Sequence, residues 1–464
     1  MAGEHPRKAV TYVKPNFEHF ELHPDLERGV ADLGFTEPTP IQRDGIPPAL
    51  EGNDVLGCAM TGSGKTAAFA LPILDRLLAR KRGATRALVL APTRELAAQI
   101  VEHTSELAKH TRIKAATVFG GVAMGPQEKA LRGGVDIVVA CPGRLLDHMQ
   151  HSYAHFDDLE VLVLDEADRM LDMGFLPDIR RILKQLPNPQ QTLFFSATVP
   201  KEIAQLARQM LNEPTVLNIE RPAAPATGIR QSIYPIRSDL KPSLLLELLE
   251  RGVIDNALAF TRTKHRANRL ARFLDRHGIP CDKIHGNRSQ TQRTTALADF
   301  KHHRIRVLVA TDVAARGIDI EALSHVVNVD VPKVPEDYIH RVGRTARAGL
   351  TGEAFTFVSQ DEEKDLRSIE RKVGKRLPRQ TLKDFDYETS PAERFEVPIR
   401  ERIAQIRAQR AGERARSRAK AEAKADRQTE LEAERERRAK EGRTSSRPRR
   451  RNRRRRRRPS APAS

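Results

Sequence analysis

Residues 59–66 read AMTGSGKT. Gly62 and Gly64 can take positive φ and let backbone N–H groups approach an anion. Lys65 is long enough to reach the terminal phosphates of a nucleotide, and the Thr66 hydroxyl suits Mg²⁺. Thr61 and Ser63 complete the loop. The apolar run DVLGCA precedes it and the helix former TAAFALPILDRLLAR follows it. The loop therefore belongs at a strand end and a helix N-terminus, where partial positive charge favours phosphate. A glycine turn before an ordinary helix would read the same way locally. A second stretch, LVLDEADRM (162–170), ends an apolar run on Asp165. A carboxylate there can meet a bound Mg²⁺, and Glu166 beside it can orient or deprotonate an attacking water. Acidic residues also cap helices, so neither stretch suffices alone. Together, at strand ends of one α/β domain, they meet the requirements of a P-loop nucleotide hydrolase.

The elements that must carry these residues are short apolar runs alternating with helical stretches. RALVLAPT, VDIVVACPGR and QTLFFSAT join the two runs above. Buried strands alternating with helices predict a parallel sheet covered on both faces. Site residues then fall at the carboxyl ends of the strands. The pattern breaks at ERPAAPATG (220–228) and restarts with NALAFTRT, RVLVATD, HVVNVDVP and GEAFTFVS. The reading is two α/β domains, 1–220 and 229–388, joined by a linker at 221–228. A tail at 389–464 is Arg-rich and of low complexity. It lacks a lasting apolar face and predicts a solvated helix or disorder.

The chain has 464 residues and a formal charge of +19. The tail from Glu401 holds 24 of the 80 Lys and Arg but only 9 of the 61 Asp and Glu. It accounts for +15, leaving about +4 for the first 400 residues. No run approaches the ~18 apolar residues of a membrane span, and MAGEHPRKAV does not look like a signal peptide. Cys58, Cys141 and Cys281 form no C-x-x-C pair, which argues against a zinc site or disulfide framework and fits a reducing cytoplasm.

At these residues the chain resembles the DEAD-box RNA helicases of superfamily 2, most of all bacterial RhlE-type members. DEAD stands literally at 165–168. GFTEPTPIQ (34–42) is similar to the Q motif, with Phe17 in place of the family's upstream aromatic. AMTGSGKT resembles motif I, PTRELA (92–97) motif Ia, Gly120–Gly121 the GG element and SAT (196–198) motif III. LAFTRTK (258–264), QTQR (290–293), ATDVAARGID (310–319) and HRVGRTARAG (340–349) follow as motif IV, Q-x-x-R, motif V and motif VI. The likeness spans roughly residues 16–388. It implies two tandem RecA-like domains, RNA-stimulated ATP hydrolysis and Mg²⁺. Met60 stands where the family usually has Gln, and Cys141 where it usually has Thr. A thiol is the poorer hydrogen-bond partner.

The resemblance assigns adenine recognition to Gln42, base stacking to Phe17 and the ribose to Asp319. Lys65, Thr66 and Asp165 hold phosphates and Mg²⁺, and Glu166 is the general base. Arg344 and Arg347, three apart and able to share a helix face, become arginine fingers reaching across the cleft. Asp168, Ser196, Thr198 and His340 would link the ATP site to the RNA face. RNA contacts fall on Arg94, Gly121, Gly143 and Arg144 in the first domain. In the second they fall on Gly286, Gln290, Arg293, Thr311 and Asp312. These groups suit recognition of the backbone rather than of base sequence. With 5% aromatic residues and no Trp, a large stacking platform is not expected.

A site split in this way needs domain closure, favoured by ATP and RNA together. By resemblance, closure bends one strand and separates a short duplex locally. The Arg run of the tail reads as an RNA tether, with a solubilising role as the alternative. Ribosome or RNA-decay assemblies are the partner class the resemblance suggests. Two other functions stay open: an RNA clamp or annealing protein that uses ATP only to lock on, and a DNA helicase of the same superfamily.

Overall fold

The apolar runs become parallel strands in a computed structural model. It describes residues 16–59, 62–79, 83–218, 228–315, 323–345 and 351–389. In the first lobe these are β1 (Val55–Cys58), β2 (Ala87–Leu90), β3 (Ala115–Val118), β4 (Ile137–Ala140), β5 (Val161–Leu164), β6 (Gln191–Ser196) and β7 (Thr215–Asn218). They pair in parallel in the order β3-β4-β2-β5-β6-β1-β7. The second lobe holds β8 (Ile229–Pro235), β9 (Ala257–Phe260), β10 (Cys281–Ile284), β11 (Val307–Ala310), β12 (His325–Asn328) and β13 (Gly352–Val358). Their order is β10-β11-β9-β12-β13-β8, again all parallel.

Side chains of the central strands alternate between two covered faces, so β2, β4, β5, β9 and β11 are apolar at every position. Val89, Val139, Val163 and Leu193 pack on one side of the first sheet, and Leu88, Val138, Leu162 and Phe194 on the other. Each such side chain contributes roughly 1.5–3 kcal/mol by leaving water. Helices start where the sequence supplies caps. The Thr93 hydroxyl accepts from Leu96 N at 3.2 Å and opens helix Arg94–Leu107. Thr263 does the same for helix Lys264–Arg276, and a Ser289–Gln292 capping box opens helix Gln290–Lys301.

Adjacency of β5, β6 and β1 is what positions the site. It sets Asp165, Ser196 and Ala59 on neighbouring strand ends, and Ala59 N bonds to Ser196 O at 3.2 Å. Residues Met1–Ala392 form one unit holding both sheets, and Glu393–Ser464 a second that lies outside the described residues. The expected tail except Thr389, and all of the linker except Gly228, also lie outside them. Among the described residues no helix is long and apolar enough to cross a membrane, and none of the three cysteines is in a disulfide.

Candidate active site

The phosphate loop leaves β1 and enters helix Lys65–Leu78. Gly62 and Gly64 have φ of 82° and 91°. A Cβ on Gly64 would lie 2.5 Å from Gln42 Nε2 and 2.8 Å from Thr39 Oγ1, so both backbone and space demand glycine there. Thr66 sits half-buried on the first turn and Ser63 just before it. Thr61 and Met60 lie outside the described residues.

Lys65 is buried, donates from Nζ to Ala59 O at 3.1 Å, and stands 3.6 Å from Asp165 Oδ1. That oxygen is buried and accepts no hydrogen bond. Burial pushes the Asp165 carboxyl up to about 6; the Lys65 charge opposes the shift and Glu166 adds to it. A buried carboxylate left in this state costs free energy unless a cation or donor completes it. The glycine cradle, the lysine and this incomplete carboxylate fit a magnesium nucleotide.

Glu166 has φ 53° and is ion-paired with Arg169 at 2.8 Å, both buried. Asp168 accepts from Thr198 N at 2.7 Å and from Thr198 Oγ1 at 2.8 Å. The Ser196 hydroxyl accepts from Asp168 N at 3.1 Å and donates to Thr198 O at 2.6 Å. The strand end after β6 and the helix after β5 are therefore knit together. Arg169 from this lobe lines a cavity with His340, Arg341, Arg344, Asp312 and Asp337 from the other. Burial first, and the Arg169 charge next, hold the His340 imidazolium down at about 4. Arg344 is buried, while Arg347 and Asp319 lie outside the described residues.

The DEAD/DEAH box helicase family model matches residues 39–206, and that of the helicase conserved C-terminal domain matches 240–349. The DEAD-box ATP-dependent RNA helicase CshA of Bacillus subtilis (strain 168) is 41% identical over 363 residues, 78% of this chain and 73% of that protein. The chain belongs to the DEAD-box RNA helicases. ATP-dependent RNA helicase RhlB of Pseudomonas syringae pv. tomato is also 41% identical, over 79% of this chain and 95% of its own length. Among solved structures, S. cerevisiae Dbp5 bound to RNA and ADP BeF3 matches with a TM-score of 0.72 and 31% identity, covering 80% of this chain and 96% of that one. Mss116p bound to ssRNA and AMP-PNP matches at 0.71 and 28%, covering 80% and 79%.

In this helicase two expected nucleotide contacts are engaged differently from the simple reading. Gln42 is buried; its Oε1 accepts from Thr39 N at 2.9 Å and its Nε2 donates to Gly64 O at 3.1 Å. The amide thus ties the Q motif to the phosphate loop, with one Nε2 hydrogen and one Oε1 lone pair left over. Phe17 is no exposed stacking plate. Its ring is buried 5.7 Å from Phe20 and 5.8 Å from Phe35, because an aromatic at the chain's entry gains more from the core than from water.

The expected RNA contacts converge from both lobes. A Cβ on Gly121 (φ 81°) would sit 2.0 Å from Arg94 Nη1, and one on Gly120 would lie near both Arg94 and Arg144. Arg144 donates to Val122 O at 3.1 Å. Gly143 and Gly286 have open space where a side chain would be, and Thr311 is buried at the end of β11. Gln290 and Arg293 are occupied by a residue the sequence reading missed. Glu95 Oε1 accepts from Gln290 Nε2 at 3.1 Å and from Arg293 Nε at 2.8 Å, bridging the lobes. A carboxylate directly beside Arg94 in an RNA-contacting motif was the available signal. Asp312 is likewise taken, by a two-bond pair with Arg341 at 2.5 and 2.8 Å. Cys141 stands at the start of helix Pro142–Met149 without capping it, and burial pushes its thiol up to about 12.

Proposed function

We propose that this helicase separates short RNA duplexes locally, with ATP hydrolysis at a site divided between its lobes. The observation that supports it most is the buried Asp165 Oδ1, which accepts no hydrogen bond, 3.6 Å from Lys65 and next to Glu166. Lys65 and the Gly62–Thr66 backbone would hold the phosphates. Thr66 and Asp165 would hold Mg²⁺, which when bound supplies charge against the β- and γ-phosphate oxygens. Arg169 fixes the Glu166 carboxylate, and Glu166 takes the proton of the attacking water. Arg344 and Arg347 neutralise the charge of the transferring group from the second lobe. Gln42, Phe17 and Asp319 would serve the nucleoside end.

RNA would lie along Arg94, Gly121, Gly143, Arg144, Gly286, Gln290, Arg293, Thr311 and Asp312, held by its backbone. Asp168, Ser196, Thr198 and His340 connect that face to the hydrolytic one. Nucleotide and RNA both need the lobes in contact, so each raises the affinity of the other. The Arg-rich tail adds a sequence-independent tether, and a cytoplasmic place of work fits cysteines that form no disulfide.

Strand displacement on matched RNA and DNA duplexes, with and without ATP, tests the reading. ATP-dependent separation of RNA alone is expected. Glu166→Gln should keep ATP and RNA binding and lose turnover by roughly 10²–10⁴-fold. Annealing without separation would favour the clamp, and equal action on DNA would favour the third class.

A further inference from the structure

The near-neutral charge of the first 400 residues conceals an asymmetry. Residues 264–306 hold 11 Lys and Arg against 3 Asp, a balance of +8, so the rest of the first 400 residues sums to about −4. This segment forms one edge of the second lobe. It comprises helix Lys264–Arg276, the edge strand β10, and helix Gln290–Lys301.

Helix Lys264–Arg276 divides cleanly. Ala267, Leu270, Ala271 and Leu274 are buried against the sheet. His265, Arg269, Arg272 and Arg276 recur at steps of four, three and four, which puts them on one stripe. At 100° per residue that stripe is centred opposite the buried face. His265, Arg272 and Arg276 are exposed and Arg269 half-buried. Four rungs over eleven residues extend about 17 Å. Of the edge's carboxylates, Asp282 pairs with Arg288 and Asp299 with Arg304, at 3.1 Å each. Asp275 lies off the stripe.

A face meant only for solubility mixes signs, as helix Glu363–Val373 does with EKDLRSIERKV. Like charges three and four apart cost a helix about 0.2–0.5 kcal/mol per pair, so a single-sign stripe needs another reason. Its position supplies one. Lys264 Nζ donates to Asn287 Oδ1 at 3.0 Å, joining the start of this helix to the loop that carries Gly286. Gln290 and Arg293, at the start of the neighbouring helix, reach Glu95 across the cleft. The stripe therefore continues the RNA face outward.

We propose that the outer face of helix Lys264–Arg276 is a second RNA track, gripping the phosphates of the strand that leaves the cleft. Guanidinium groups spaced along a rigid helix grip phosphate without reading bases. The track rests on the RNA reading above but adds residues outside every motif of the family. It lengthens the footprint beyond the cleft and keeps a partly opened strand from closing again.

The test measures affinity of the full chain for a ladder of single-stranded RNAs with a non-hydrolysable ATP analogue. Wild type, the triple variant Arg269→Gln/Arg272→Gln/Arg276→Gln and the matching triple Lys variant are compared. The shortest RNAs that fill the cleft should bind wild type and Gln variant alike. Longer RNAs should gain more affinity on wild type and on the Lys variant than on the Gln variant, whose remaining gain is the tail's. The log–log salt slope for long RNA should fall by about 2 in the Gln variant, from ~0.7 per lost phosphate contact on single strands. A Gln variant that keeps the full wild-type length gain and the full slope overturns the track. Failure of wild type to bind RNA of any length would instead overturn the RNA reading itself.

Discussion

Two carboxylates occupy equivalent places in the two lobes and meet opposite surroundings. β5 and β12 hold the same position in their sheets, fourth from the β3 or β10 edge. Asp165 follows the first and Asp330 the second. Asp330 Oδ2 accepts from Arg262 N at 2.8 Å, and its Oδ1 is ion-paired with Arg266 at 2.8 Å. The same cluster includes fully buried Lys241, bonded to Glu362, which also pairs with Arg262 at 2.7 Å. Asp165 stands 3.6 Å from Lys65, takes a backbone hydrogen bond from Glu166, and keeps its Oδ1 with no hydrogen bond. A buried charge closed off by its own lobe is scaffold; one left incomplete beside a glycine cradle is a site.

The same substitution at both places breaks or sharpens that contrast. Asp330→Asn strips a buried network of one partner and should cost about 3–5 kcal/mol. Asp165→Asn gives up no hydrogen bond from its open oxygen and should cost less than about 1 kcal/mol without nucleotide. Urea unfolding of both variants decides it, and losses of equal size would erase the distinction.

A smaller effect is expected where the lobes meet. Glu95→Gln removes the charge that Arg293 and Gln290 share and should lower ATP–RNA coupling by about 1–2 kcal/mol. RNA affinity with and without an ATP analogue reads this directly, and an unchanged ratio would make Glu95 a bystander.

The smallest is a pH effect. His340 titrates near 6.5 when free in water but is held down to about 4, by burial first and by the Arg169 charge of the other lobe next. Asp168, Asp337 and Glu166 oppose that shift, and Asp312, Arg341 and Arg344 line the same cavity. The neutral imidazole is the form the contact favours. Its contribution is complete above about pH 6.5 and is lost as pH falls toward 4. Thermal stability across that window should depend on pH less steeply in His340→Gln. Identical curves would remove His340 from the contact.

The core of the fold was legible because the central strands β2, β4, β5, β6, β9, β11 and β12 carry continuous runs of buried positions, most of them apolar. The four strands that the sequence reading passed over are β3, β7, β8 and β10, the four edges of the two sheets. β3 and β10 are half-buried at three of their four positions, so AATV and CDKI carry no continuous apolar run. The phosphate loop was legible because its chemistry is contiguous in sequence. The Glu95 clasp was not, because its partners lie 195 and 198 residues away. Gln42 and Phe17 were placed by what they would touch in a nucleotide, while the chain supplies each with internal partners.

The central claim is that the second lobe completes a hydrolytic site begun in the first. Single-turnover hydrolysis by Arg344→Ala, at saturating ATP and RNA, tests it most directly. The rate should fall by about 10³-fold or more while nucleotide affinity stays close to wild type. A rate within about tenfold of wild type would mean that the second lobe holds RNA but takes no part in the chemistry.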